Sequence, residues 1–274
     1  MLRDWLAVLA VLAGVGFSFA ADGTSPLVKE KQWEEARTAL AEGKAAEAKA
    51  ALDPLLAKYP EEPDLHYALA LISLRLRDPD AAERFIRRAL ALNPDHVQAR
   101  TLLGWIELEI HGNADAAIKD YSKVIKLRPN SPDAYLNLGA AYKKKGELNN
   151  ALNAYDQALK RDSNSIIALS NRGWLFAAQQ KWTEARKDFE RALEINPGDE
   201  GALQGLAEVL EKTRDYAGAQ TALSRLISRS SNFVYWLEWG RIGLIRYWWV
   251  WLLTAVALFF KGRFFTRARS ASNG

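Results

Sequence analysis

The sequence predicts an all-α protein built as an array of helix pairs, each packed on the next, and three periodic observations predict it. Alanine recurs at Ala48, Ala82, Ala117, Ala151, Ala185 and Ala219, in steps of 34, 35, 34, 34 and 34 residues. A second small residue recurs in phase with it, as Ala36, Ala70, Gly104, Gly139, Gly173 and Ala207. Proline closes most units, at Pro60, Pro94, Pro129 and Pro197, with Ser163 and Ser231 in the other two places. A period in this range marks one helical hairpin per repeat, too short to bury its apolar faces without neighbours of the same kind.

The clearest unit runs from Ser131 to Asn164. At helical spacing, Leu138, Gly139 and Tyr142 line one face of its first helix, and Ala151, Tyr155 and Ala158 one face of its second. The turn falls at Lys145-Gly146-Glu147. Small residues at Gly139 and Ala151 let the helices approach, and the aromatic rings fill the space beside them. The closing proline ends the second helix and sets the angle to the next unit.

This small, aromatic, alanine and proline signature resembles the tetratricopeptide repeat family over about Lys29 to Ser231. The resemblance implies a right-handed helix-turn-helix solenoid of about six repeats, near 29–62, 63–96, 97–131, 132–165, 166–199 and 200–231. The first unit is the most divergent, with Trp33 and Leu52 where other units carry different apolar groups, as terminal units often do. The third has one extra residue near His111-Gly112-Asn113, expected in its interhelix turn.

Ahead of the repeats, residues 1–20 read MLRDWLAVLAVLAGVGFSFA, with Arg3 before a charge-free run. Ser18 and Ala20 suit cleavage of a secretory signal after Ala20, and the alternative is an uncleaved anchor. Either version exports the repeats. Residues 21–28, with Gly23, Ser25 and Pro26, read as a linker.

Behind the repeats the character changes. Residues 232–241 form a juxtamembrane segment, and Ile242 to Phe260 is a run of 19 residues, roughly 28 Å as a helix. That length approaches a hydrocarbon core, so the run is expected to be a transmembrane helix. Five of the ten tryptophans lie between Trp236 and Trp251, and Lys261, Arg263, Arg267 and Arg269 follow in a basic tail over 261–274. The positive-inside rule puts that tail in the cytoplasm and the repeats outside. Arg246, one turn inside the run, is expected to be a membrane-helix contact that snorkels to the interface. The alternative is a helix capping the last repeat, helped by Tyr235, Trp236 and Trp239; against it, Tyr247 to Phe260 carries no charge on any side.

Charge and chemistry exclude other classes. The net charge is +4, but six basic residues lie after Ser231 against the single acid Glu238, so the repeat body is near neutral. Nucleic-acid binding needs a concentrated basic face and is not expected. Without cysteine there is no disulfide and no thiolate metal site. His66, His96 and His111 make no paired ligand spacing, and no phosphate-binding loop or nucleophile with its base is present. No catalytic residue, metal or cofactor is expected, and the chain reads as a non-enzyme.

The resemblance instead directs attention to the groove lined by the first helix of each unit. Mapped here, it implies Tyr67, Leu71, Trp105, Asn137, Lys143, Lys144, Asn171 and Trp174 as groove residues. Asparagine amides both donate and accept, so Asn137 and Asn171 are suited to hold a peptide backbone, and Trp105 and Trp174 to supply apolar area. The alternative is that the asparagines satisfy local helix-start bonds and the tryptophans pack between units. The Lys and Arg of family members that clamp a terminal carboxylate are absent: those positions hold Tyr67, Thr101, Leu136 and Ser170, or Asp64, Asp133 and Ile167. The expectation is a non-catalytic scaffold in a bacterial inner membrane, binding protein or peptide partners on its periplasmic side. An assembly subunit docking through its membrane helix, with the repeats as a platform, is the alternative.

Overall fold

A computed structural model of the protein describes residues 25–229, 232–250 and 253. The signal segment over 1–20, residues 21–24 of the linker, the basic tail, and residues 251–252 and 254–260 of the expected span lie outside the described residues. Helices pair along the chain as α1 (Lys31–Ala41) with α2 (Ala45–Lys58), α3 (Pro63–Arg75) with α4 (Pro79–Leu92), and α5 (Val97–Trp105) with α6 (Ala114–Leu127). The pairs continue as α7 (Pro132–Lys145) with α8 (Leu148–Arg161), α9 (Ile166–Ala178) with α10 (Trp182–Ile195), and α11 (Glu200–Lys212) with α12 (Tyr216–Ile227). A last helix, α13, covers residues 233–250, and no strand occurs among the described residues. The chain divides into two units, the first ending at Ser163 with α1–α8 and the second starting at Asn164 with α9–α13.

Each hairpin turns on a residue with left-handed backbone: Gly43, Arg77, Gly112, Gly146, Gln180 and Arg214. One such residue per repeat reverses the chain and lets the last carbonyls of the first helix find donors. At Gly146 the φ is +86°, and the amides of Gly146 and Glu147 donate to the carbonyls of Lys143 and Tyr142. Helix starts, both after the hairpin turns and at the heads of repeats, are often capped by a side chain. Asp78, Asn113, Ser131, Ser165, Asp199 and Asp215 each accept from a backbone N–H three residues on. Each such cap stabilises its helix by about 1 kcal/mol.

The in-phase small residues are set by the large side chain opposite. In α5, α7 and α9 a glycine faces an aromatic ring: a Cβ on Gly104 would lie 2.8 Å from Tyr121, on Gly139 2.6 Å from Tyr155, and on Gly173 2.9 Å from Phe189. Where the same repeat position of the second helix is aliphatic, as Leu52, Ile86 and Leu223, the first helix carries Ala36, Ala70 and Ala207. The pair is thus conserved in volume within the chain, as close packing requires. Phe189 also fills the space in front of Gly205 on α11, so one ring joins two repeats of the second unit.

Between repeats, the closing prolines do more than stop a helix. Their carbonyl oxygens accept from His66 Nε2 at Pro60 (2.8 Å), Arg100 at Pro94 (2.5 Å), Arg161 at Pro129 (2.8 Å) and Arg225 at Pro197 (2.6 Å). At these four unit ends a carbonyl left without an intrahelical donor is therefore satisfied by a long or aromatic side chain.

The structure departs from expectation at three places. The extra residue of the third repeat is absorbed in a π turn over Ile106–Ile110 rather than in the interhelix turn. There the amide of His111 donates to the carbonyl of Ile106. A π turn takes one residue more than an α turn, so Gly104 keeps its place against Tyr121. Secondly, the linker is folded at its end: Pro26–Lys29 make a helical turn that buries Leu27, and Ser25 donates to Glu62 at 3.2 Å. Thirdly, the segment expected to lead into a membrane helix is itself helical from residue 233 and lies on the last repeat.

Candidate functional site

In the first unit, the expected groove residues divide by burial. Tyr67 and Leu71 on α3 and Trp105 at the end of α5 are only 2%, 5% and 6% exposed. From Leu65 to Leu74 every residue of α3 is buried. A helix apolar on all sides is enclosed on all sides, so α3 offers no face to a partner. The Tyr67 ring lies 5.5 Å from that of His96, and burial, with Asp64 nearby, pushes its phenol well above the ordinary tyrosine range. These side chains serve packing within the unit.

Asn137, Lys143 and Lys144 lie on α7. Lys144 is a structural latch: its Nζ donates to the Leu108 carbonyl at 2.6 Å and to Glu109 Oε2 at 3.1 Å. It thereby satisfies a carbonyl of the π turn from the next repeat. Lys143 is exposed, and Asn137 is half-buried. Among the described residues the Asn137 amide makes no hydrogen bond, so it does not serve the helix start.

In the second unit, Asn171 and Trp174 lie on α9, both half-buried. The indole of Trp174 meets Phe189 edge to face, with centroids 5.4 Å apart at 71°. That contact orients the ring and leaves part of its surface accessible. Beside it, Arg172 grips Asp188 with two bonds of 2.8 and 2.6 Å, locking α9 to α10. Among the described residues the Asn171 side chain makes no hydrogen bond and keeps both amide functions available. Further along, a cavity of about 340 Å³ opens between α11 and α13, with Gln204, Glu208, Glu211, Glu238 and Arg241 on its walls.

The helix α13 is held to the second unit by polar contacts. Arg241 donates to both oxygens of Glu211 at 2.8 and 2.7 Å. Trp239 Nε1 donates to Ser224 Oγ at 3.0 Å, and Arg246 to Gln220 Oε1 at 3.0 Å, with its guanidinium over the Tyr247 ring. Ile242 is the one buried apolar side chain of the described part of α13. Arg246, expected as a contact of a membrane helix, is thus engaged by the last repeat. Sequence periodicity misses this partner because Gln220 is 26 residues away. No helix among the described residues is long and apolar enough to cross a membrane.

Among the described residues no group of three or more His, Cys, Asp or Glu side chains could hold a metal ion. The three histidines have structural partners instead: His66 at Pro60, His96 between Asp64 (3.0 Å) and the Ala99 amide, and His111 at Glu83 (3.0 Å).

Comparison with known proteins bears on fold and family. The family model described as tetratricopeptide repeat protein 21 N-terminal ARM repeat matches residues 44–186, and a tetratricopeptide repeat model matches residues 176–236. A small glutamine-rich tetratricopeptide repeat-containing protein of Mycosarcoma maydis is 33% identical over 97 residues, covering 35% of this chain and 28% of the relative. The chain spans between 18% and 36% of the length of the first four curated relatives it matches. Among solved structures, PilF of Pseudomonas aeruginosa superposes with a TM-score of 0.67 at 18% identity, covering 76% of this chain and 94% of that one. PilW, described as a widely conserved type IV pilus biogenesis factor, gives 0.68 at 16% identity, covering 75% and 94%. At these identities the two likenesses speak for the fold alone.

Proposed function

This chain belongs to the tetratricopeptide repeat family, and we propose that within it the protein is a non-catalytic scaffold, anchored to a membrane and binding protein or peptide partners. Tetratricopeptide repeat proteins in general bind such partners, and the observation that carries the binding part is the α9 face. There an amide with both functions available, Asn171, stands beside a half-buried, oriented indole, Trp174. An extended peptide needs both: a group that meets its backbone donors and acceptors, and an apolar surface for a side chain. Asn137 on α7 offers the same amide chemistry in the first unit.

The membrane part is supported by the apolar run from Ile242 to Phe260 and the four basic residues that follow. The export side of a bacterial inner membrane is supported by the apolar N-terminal segment over residues 1–20.

The test is crosslinking in intact cells, followed by affinity purification of the tagged full chain beside its Asn137→Ala, Asn171→Ala, Trp174→Ala variant. The expected result is loss of specific partners with the variant while helicity and membrane association persist. If every partner is retained, the first-helix faces are not the binding surface.

A further inference from the structure

The helix α13 has its polarity turned inside out. A helix that closes a repeat array in water presents apolar side chains to the last repeat and polar ones to solvent. Here the described contacts to α11 and α12 are mostly polar: Arg241 to Glu211, Trp239 to Ser224, Arg246 to Gln220. The opposite side is apolar. Phe233, Leu237, Leu244 and Trp248 follow one another at intervals of 4, 7 and 4 residues, which is one stripe of an α-helix, and each is 58–68% exposed. Gly240 falls on the same stripe, with nothing within 4 Å of where a Cβ would stand. Trp236 and Tyr247 lie along one edge of it, also exposed. The stripe is roughly 22 Å long and carries no charge. Contiguous bare apolar surface of this kind marks a contact with an apolar medium or partner.

Two features identify the medium. Trp236, Tyr247 and Trp248 lie on the stripe or along one edge of it, and these rings favour the boundary between headgroups and acyl chains, with one end apolar and the other wet. The chain then runs without charge to Phe260 and on to Lys261, Arg263, Arg267 and Arg269, which complement anionic headgroups. Geometry decides the orientation. Because Arg246 is engaged by Gln220, a straight path into the bilayer starts only at Tyr247. The charge-free stretch from there to Phe260 is 14 residues, roughly 21 Å as a helix, well short of a hydrocarbon core of about 30 Å. A vertical α13 would also leave Phe233, Leu237 and Leu244 in water.

We propose that α13 lies along the surface of the bilayer, its Phe233–Leu237–Leu244–Trp248 stripe sunk into the interface, and that Arg241 and Arg246 clamp the last repeat onto its upper side. The inference rests on the membrane-anchored part of the proposed function and specifies how the anchor is made. An interfacial helix of this type buries its apolar face about 5–10 Å below the headgroups. The clamp then holds the second unit in one orientation at the membrane, with the α9 face at a set height.

The chain has no cysteine, so single labels report without background. Nitroxides are attached to the full chain at Leu237→Cys, Leu244→Cys, Trp248→Cys and Ala255→Cys, with Glu190→Cys on α10 as the aqueous control. Each is reconstituted in phosphatidylcholine–phosphatidylglycerol vesicles and compared for collision with oxygen and with a water-soluble nickel chelate. The expected result is a preference for oxygen at 237, 244 and 248, at one shared shallow depth, lost at Glu190→Cys. Depth that increases steadily from 237 to 255, with 237 in water, overturns the in-plane arrangement and leaves the membrane reading standing. Labels at 237 and 244 shielded from both reagents mean that a protein or a second copy covers the stripe, which also overturns it. If no label, Ala255→Cys included, prefers oxygen and the chain does not float with the vesicles, the membrane reading itself fails.

Discussion

The ring of Tyr155 occupies the place where a side chain on Gly139 would begin: a Cβ there would stand 2.6 Å from Cε1 and 2.7 Å from Cδ1. Both residues are buried, the glycine on α7 and the tyrosine on α8, and no flexible end is available to give way. The same opposition of glycine and ring holds for Gly104 with Tyr121 and Gly173 with Phe189, while Ala36, Ala70 and Ala207 accompany Leu52, Ile86 and Leu223. Helix separation in each repeat is therefore set by one complementary pair.

Gly139→Ala is expected to destabilise the protein by about 1–3 kcal/mol, the usual cost of overpacking a filled core. Tyr155→Leu alone leaves a cavity and costs a similar amount. The double variant recreates the Ala36–Leu52 pair and should cost less than the sum by more than about 1 kcal/mol. Urea denaturation of the four chains makes the cycle. Strict additivity would show that the two positions are not matched to one another.

The turn residues offer a second test, in the opposite direction. Gln180 holds a φ of +59°, a conformation that costs a residue with a Cβ about 1 kcal/mol or more, whereas Gly43, Gly112 and Gly146 occupy it freely. Gln180→Gly is expected to stabilise by about 0.5–1 kcal/mol, after the larger unfolded-state entropy of glycine is subtracted. Gly146→Ala should destabilise by about 1–2 kcal/mol. A shift of the denaturation midpoint at unchanged slope reads both. A lower midpoint for Gln180→Gly would mean that its side chain contributes more than its backbone loses.

These pairs explain why the hairpins were legible in the sequence. A small residue and its large partner recur with the repeat, the turn glycine falls between them, and each relation is local. The groove was less legible because periodicity assigns a face but not its exposure. Tyr67 and Leu71 fall on the expected face of α3, yet the run from Leu65 to Leu74 is polar only at His66 and Ser73, a sign of enclosure that a groove template does not weigh. The extra residue between Gly104 and Ala117 was visible as a count. Its position was not, since a longer turn and a π turn use the same number of residues. In the π turn, Lys144 of the following repeat satisfies the Leu108 carbonyl, a partner that lies outside the repeat. The apolar residues around Arg246 point that side chain toward a membrane, while its partner Gln220 lies on another helix, out of reach of local periodicity.

The attachment of α13 is expected to depend on pH through Glu211. Two bonds from Arg241 hold its carboxyl below the ordinary value of 4.5, against the opposing effect of partial burial. A carboxyl with a depressed folded-state pKa contributes its stabilisation in full above the unfolded value, and loses it as pH falls through the folded one. Contact between α13 and α11 should therefore be unchanged from neutrality down to about pH 4.5 and weaken below it. A nitroxide at Leu237→Cys in the detergent-solubilised full chain would report this as increasing mobility over that acid range. In a Glu211→Gln background Arg241 has a neutral partner at every pH, so the label should be more mobile at neutrality and lose most of its acid response. An acid transition of the same midpoint and size in both backgrounds would place the titrating group elsewhere and leave Arg241–Glu211 without a part in holding the helix.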